Sequence, residues 1–71
     1  MRLKAYLSLE GNSASKLAEE VGVAVSTITR AASGETLPNP PTRKRILEAT
    51  GGAVTAADLF AEHEEHLVKA A

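Results

Sequence analysis

Glycine and proline divide this chain at short intervals, and that punctuation constrains its fold more than any other feature. Gly11, Gly22, Gly34 and the pair Gly51–Gly52 each follow a stretch with helical spacing, and Pro38, Pro40 and Pro41 make a rigid connector. The resulting segments are short, and 71 residues suffice for one compact unit and no second one. Alanine is the commonest of the hydrophobic residues, and Tyr6 and Phe60 are the only aromatics. So few bulky side chains build a small interior and leave stability modest. Alanine lets helices approach closely and has the best helix propensity. The expected fold class is all-α, with four to five short helices packed tightly.

Leu3, Tyr6, Leu7 and Leu9 give the first segment helical spacing before Gly11 and Asn12 end it. Ser13 suits the cap of a second helix over 14–21, with Gly22 as its stop. A third is expected from Ala24 to Ser33. Its run of β-branched residues, Val23, Val25, Thr27, Ile28 and Thr29, favours a strand by local propensity. A lone strand among helices has no pairing partner, so packing is expected to hold this segment helical. Asn39 suits an N-cap and Pro40 the first position of a fourth helix, expected over 43–50. Thr55 and Asp58 make a capping-box pattern, with aspartate in place of the usual glutamate. It predicts a fifth helix running through Leu59, Phe60, His63, Leu67 and Val68.

Cysteine is absent, which excludes disulfides, thiolate zinc sites and cysteine nucleophiles. No run approaches the ~18 apolar residues of a membrane span, and the start of the chain lacks a signal-peptide stretch. A cytoplasmic protein without membrane contact is the expectation. The net charge is −1, yet residues 1–45 sum to +3 and residues 46–71 to −4. That asymmetry points to one half facing a polyanion. Residues 62–66 place His63 and His66 three apart, one residue short of the His-Glu-x-x-His zinc spacing and without a third ligand. They read as surface histidines on an acidic helix. No phosphate-cradling glycine loop and no serine–histidine–acid pattern is present, so no catalysis, metal, cofactor or small-molecule ligand is expected.

Ala14 to Gly34 is the informative stretch. Leu17, Val21, Val23, Ile28 and Ala31 supply apolar positions, Ala18 a small one, and Gly22 a turn that tolerates positive φ. Two helices crossing steeply over a short turn need this set, which is helix-turn-helix logic. With Ser26, Thr27, Thr29 and Arg30 following, residues 13–30 resemble the phage Cro/repressor (XRE-type) helix-turn-helix family. Gly34, Pro38, residues 45–52 and residues 55–60 are similar to short prophage Cro-like regulators. The resemblance covers about residues 2–60 and implies a lambda-repressor-like DNA-binding domain over 1–60, with 61–71 as a C-terminal helical extension or tail. Family members often carry glutamine where Ala14 stands, and serine then a polar residue where Ala24 and Val25 stand.

The resemblance places Val25, Ser26, Thr29 and Arg30 toward DNA bases, with Thr27 at the edge of that face. Arginine can donate two hydrogen bonds to guanine, and valine can pack on a thymine methyl. Backbone contacts are expected from Lys16, Thr27, Asn39, Arg43, Lys44 and Arg45, with one of the last three resting its stem against the core. The implied function is a sequence-specific regulator of double-stranded DNA, a Cro-like repressor that occludes a palindromic operator. The alternative is an interaction module such as an antitoxin or accessory factor on the same fold. Acidic residues 58–66 should avoid the phosphate backbone, while Leu67 and Val68 continue an apolar stripe. Homodimerisation through residues 59–71 is therefore expected, in solution or on DNA only.

Overall fold

The computed structural model describes residues 1–70; Ala71, the last residue of the expected extension, lies outside them. Five helices follow one another: α1 (Leu3–Leu7), α2 (Ala14–Val21), α3 (Val25–Ser33), α4 (Pro40–Ala49) and α5 (Ala56–Ala70). No strand occurs among the described residues. The all-helical class expected from the punctuation is the one observed.

The first helix is shorter than expected. α1 ends at Leu7, and Leu9 lies beyond it with 45% of its surface exposed. The Asn12 side chain donates to the Tyr6 carbonyl at 3.0 Å, and Ser8 Oγ donates to the Ala5 carbonyl. These bonds take the carbonyls that a longer helix would use. α4 begins at Pro40, the first helical position expected after an Asn39 cap: Asn39 Oδ1 accepts the Thr42 N–H at 3.2 Å, and the prolines preset φ. Ser13 caps α2 as expected, accepting the Lys16 N–H.

The core is Leu3, Leu17, Ala18, Val21, Ile28, Ala31, Ile46, Val54 and Leu59, so every helix contributes to it. Ile28 and Ala31 explain why α3 is helical. A β-branched residue loses at most about 0.7 kcal/mol relative to alanine in a helix, whereas burying one isoleucine contributes roughly 1.5–3 kcal/mol. Ala18, 1% exposed, is the small residue at the α2–α3 crossing, and Gly22 turns the chain between them at φ 83°. The expected capping box opens α5. Thr55 and Asp58 exchange bonds at 3.0 and 3.2 Å. The Thr55 N–H, reinforced by the ammonium of Met1 at 3.0 Å, holds the Asp58 carboxyl down at about 2.

α5 is tied to the rest by polar groups. Glu62 is 5% exposed, and its two carboxylate oxygens accept the Leu3 N–H at 2.8 Å and the Lys4 N–H at 3.1 Å. A side chain on the last helix thus caps the first. His63 Nδ1, which carries the proton because a carbonyl only accepts, donates to the Gly34 carbonyl at 2.8 Å. Thr50 Oγ donates to the Ile46 carbonyl and accepts the Val54 N–H, fixing the connector between α4 and α5. No buried side-chain polar atom among the described residues lacks a partner.

Gly22 and Gly34 both close helices at positive φ, but for different reasons. A Cβ at Gly22 would meet nothing within 4 Å, whereas one at Gly34 would lie 2.1 Å from the Glu62 carbonyl oxygen. Gly22→Ala should therefore cost only the left-handed strain, about 1 kcal/mol. Gly34→Ala adds a backbone collision and should cost about 3–4 kcal/mol, a large part of the stability of so small a domain. Urea midpoints of the two variants check this; equal losses would show that α5 does not press on Gly34.

Candidate nucleic-acid interface

α3 buries one face and leaves the other bare. Ile28 and Ala31 point inward against α1, α2 and α5, and Thr27 and Ala32 are half-buried at the flanks. Val25, Ser26, Thr29, Arg30 and Ser33 are exposed on an arc of about 140° at 3.6 residues per turn. All four base-contact candidates therefore share one open face, with Val25 44% exposed. No acidic side chain lies on α3. Thr29 Oγ donates its hydrogen to the Ser26 carbonyl at 3.1 Å, so its lone pairs are what it turns outward. Ala24 gives α3 no side-chain cap, as its lack of an oxygen dictates.

The cations separate into two kinds. Lys16 on α2, Lys44 and Arg45 on α4, and Arg30 are exposed, and none forms an ion pair among the described residues. Arg43 is half-buried: its guanidinium lies 4.8 Å above the Phe60 ring and donates to the Pro38 carbonyl at 2.8 Å. It is the member of the basic triplet held against the protein, through Phe60 and the Pro38 carbonyl. Asn39 is exposed, but its Oδ1 is occupied by the α4 cap, leaving its amide N–H groups outward. α4 packs on α2 and α5, so Lys44 and Arg45 ride on an element braced by the first helix of the helix pair. Arg2 forms an ion pair with Glu65, which raises the arginine and lowers the carboxyl, and belongs to the α1–α5 rim.

The arrangement is two crossed helices, α2 and α3, over a glycine turn, with the second presenting an unobstructed polar face. A family model described as helix-turn-helix matches residues 3–55. The chain belongs to this family. Helix-turn-helix proteins of this type are DNA-binding transcription regulators. No curated protein and no solved structure matches the chain significantly. The family match ends before α5 begins at Ala56, so the polar ties at Glu62 and His63 lie outside it.

Two features of this helix-turn-helix chain correct the sequence expectation. His63 and His66, expected on the surface, are half-buried: they lie on the α5 face shared by Leu59 and Glu62, which packs on α3. Glu62, read only as one of the acidic residues of 58–66, is buried with its carboxylate on the first N–H groups of α1. The positions 59, 62, 63 and 66 follow one helical face, so periodicity carried the signal; their polarity hid it. No described helix is long and apolar enough to cross a membrane.

The Arg43–Phe60 stack yields a measurable quantity. In a double-mutant cycle, Arg43→Ala and Phe60→Ala should show a coupling of about 0.5–1 kcal/mol in unfolding free energy. A coupling of zero would mean that Arg43 is free for other partners.

Proposed function

We propose that this helix-turn-helix protein is a sequence-specific repressor of Cro type, which occludes a palindromic operator in double-stranded DNA by placing α3 in the major groove. The observation that carries the reading is the open face of α3, where Val25, Ser26, Thr29 and Arg30 stand exposed together. Arg30 donates to guanine O6 and N7, Val25 packs on a thymine methyl, and Ser26 and Thr29 bond bases beside them. Lys16, Lys44 and Arg45 meet phosphates, with Thr27 and Asn39 at the margin; Arg43 acts chiefly by holding the start of α4 in place. Residues 1–60 form the DNA-binding part and residues 61–71 its extension.

Arg30→Ala should weaken binding to the preferred site far more than binding to random DNA, because base contacts specify and phosphate contacts position. Lys44→Ala or Arg45→Ala should weaken both alike and lower the salt slope by about one unit per lost contact. Fluorescence anisotropy titrations across salt concentrations separate the two. Equal losses for Arg30→Ala on both DNAs would make it a backbone contact, and a wild-type protein without sequence preference would favour the interaction-module reading.

The operator-bound form is a two-fold dimer paired through α5. Phe60 and Leu67 lie seven residues apart on one stripe of α5 and are 48% and 55% exposed, with Val68 at 71% nearby. One short recognition helix reads few base pairs; pairing doubles the site, with half-sites roughly 34 Å apart. Leu67→Glu combined with Val68→Glu leaves Glu62 and His63 intact. It should abolish the preference for a full palindrome over a half-site while half-site affinity stays the same. Unchanged palindrome preference and sedimentation would remove α5 as the interface.

A further inference from the structure

We propose that His63 is a positioning residue for DNA recognition, setting the placement of α3 through its bond to Gly34; this rests on the DNA-binding reading above. Gly34 is the left-handed C-cap of α3, φ 81°, and it is buried. Two carbonyls of the last turn of α3 are taken up by its own closing turn, Ala31 O by the Gly34 N–H and Arg30 O by the Glu35 N–H. The Gly34 carbonyl lies outside that ladder and needs a partner of its own. His63 Nδ1 supplies it at 2.8 Å from α5, 29 residues away in sequence. Among the described residues this is the one side-chain hydrogen bond that joins α3 or its cap to another helix.

The neighbourhood makes the bond directional rather than merely satisfying. The Glu62 backbone carbonyl and the His66 Cβ crowd Gly34 so closely that a Cβ there would stand 2.1 and 2.8 Å from them. The cap is thus wedged against α5 on one side and hydrogen-bonded to it on the other. At its opposite end α3 has no side-chain cap, so the firm polar attachment is at the C-terminus. Arg30 lies one turn before that attachment. Rotation or sliding of a nine-residue helix about a loosened C-cap would carry Arg30 off a bidentate geometry that tolerates little displacement. Contacts to phosphate by flexible lysine and arginine stems would adjust.

The experiment selects a preferred duplex from random sequences with the wild-type chain, then measures affinity for that duplex and for random DNA. His63→Ala is expected to lose about tenfold or more on the preferred duplex, the scale of one good bidentate contact, and less than about twofold on random DNA. His63→Asn keeps an N–H at the position of Nδ1 and is expected to restore most of the preference. Asp58→Ala serves as the control, since it weakens the α5 cap without touching Gly34 and should lower stability while leaving the affinity ratio unchanged. All titrations are run where urea curves show each variant folded. A wild-type ratio for His63→Ala, no rescue by His63→Asn, or an equal loss of ratio in Asp58→Ala would overturn the assignment while leaving the DNA-binding reading intact. If the wild-type chain selects no sequence, that reading falls and this inference with it.

Discussion

A buried carboxylate costs several kcal/mol unless every lone pair it presents inward is met, and Glu62 meets this condition in a way that organises the whole domain. Its two oxygens take the first free N–H groups of α1, a five-residue helix too short to persist by itself. The first helix is therefore held by the last. Leu3, fully buried, sits at the same junction, so the polar cap and the apolar packing fix one another. One residue on, His63 reaches the other way, to the end of α3. A single turn of α5 thus joins the start of the chain to the end of α3.

This junction matters because local sequence does little to keep α3 helical. Val25, Thr27, Ile28 and Thr29 each favour extended structure modestly, and Ala24 offers no capping oxygen. What holds the helix is burial of Ile28 and Ala31 and closure of its C-terminus at Gly34. The small residues act by absence. Ala18 lets α2 and α3 cross, and Gly34 lets the backbone of α5 approach. The result is a helix whose inner face is fully committed and whose outer face is free, the division that groove reading requires.

Charge follows the same division between committed and free groups. Glu62 and Asp58 in the acidic C-terminal part, and Arg43 in the basic part, are structural: each has specific partners within the chain. Removing them from the tally leaves Lys16, Arg30, Lys44 and Arg45 as the exposed cations on and around the helix pair. The electrostatic asymmetry seen along the chain survives in three dimensions, carried by fewer side chains than the composition suggests. Arg43 braces the first turn of α4 through Phe60 and the Pro38 carbonyl, on the same helix that carries Lys44 and Arg45.

Local chemistry determined the element boundaries that the sequence made legible. Ser13, Gly22, Asn39 with Pro40, and Thr55 with Asp58 act within four residues of themselves, so their roles could be read without knowing the fold. The open face of α3 was legible for a related reason: its buried positions, 28 and 31, are the apolar ones. Tertiary structure alone decided the roles of Glu62, His63 and Arg43, polar residues whose partners linear spacing does not reveal. The early end of α1 belongs with them, since Asn12 must fold back to reach Tyr6. A polar side chain satisfied by water and one satisfied by a distant backbone group look alike in sequence. Only the packing that excludes the water tells them apart.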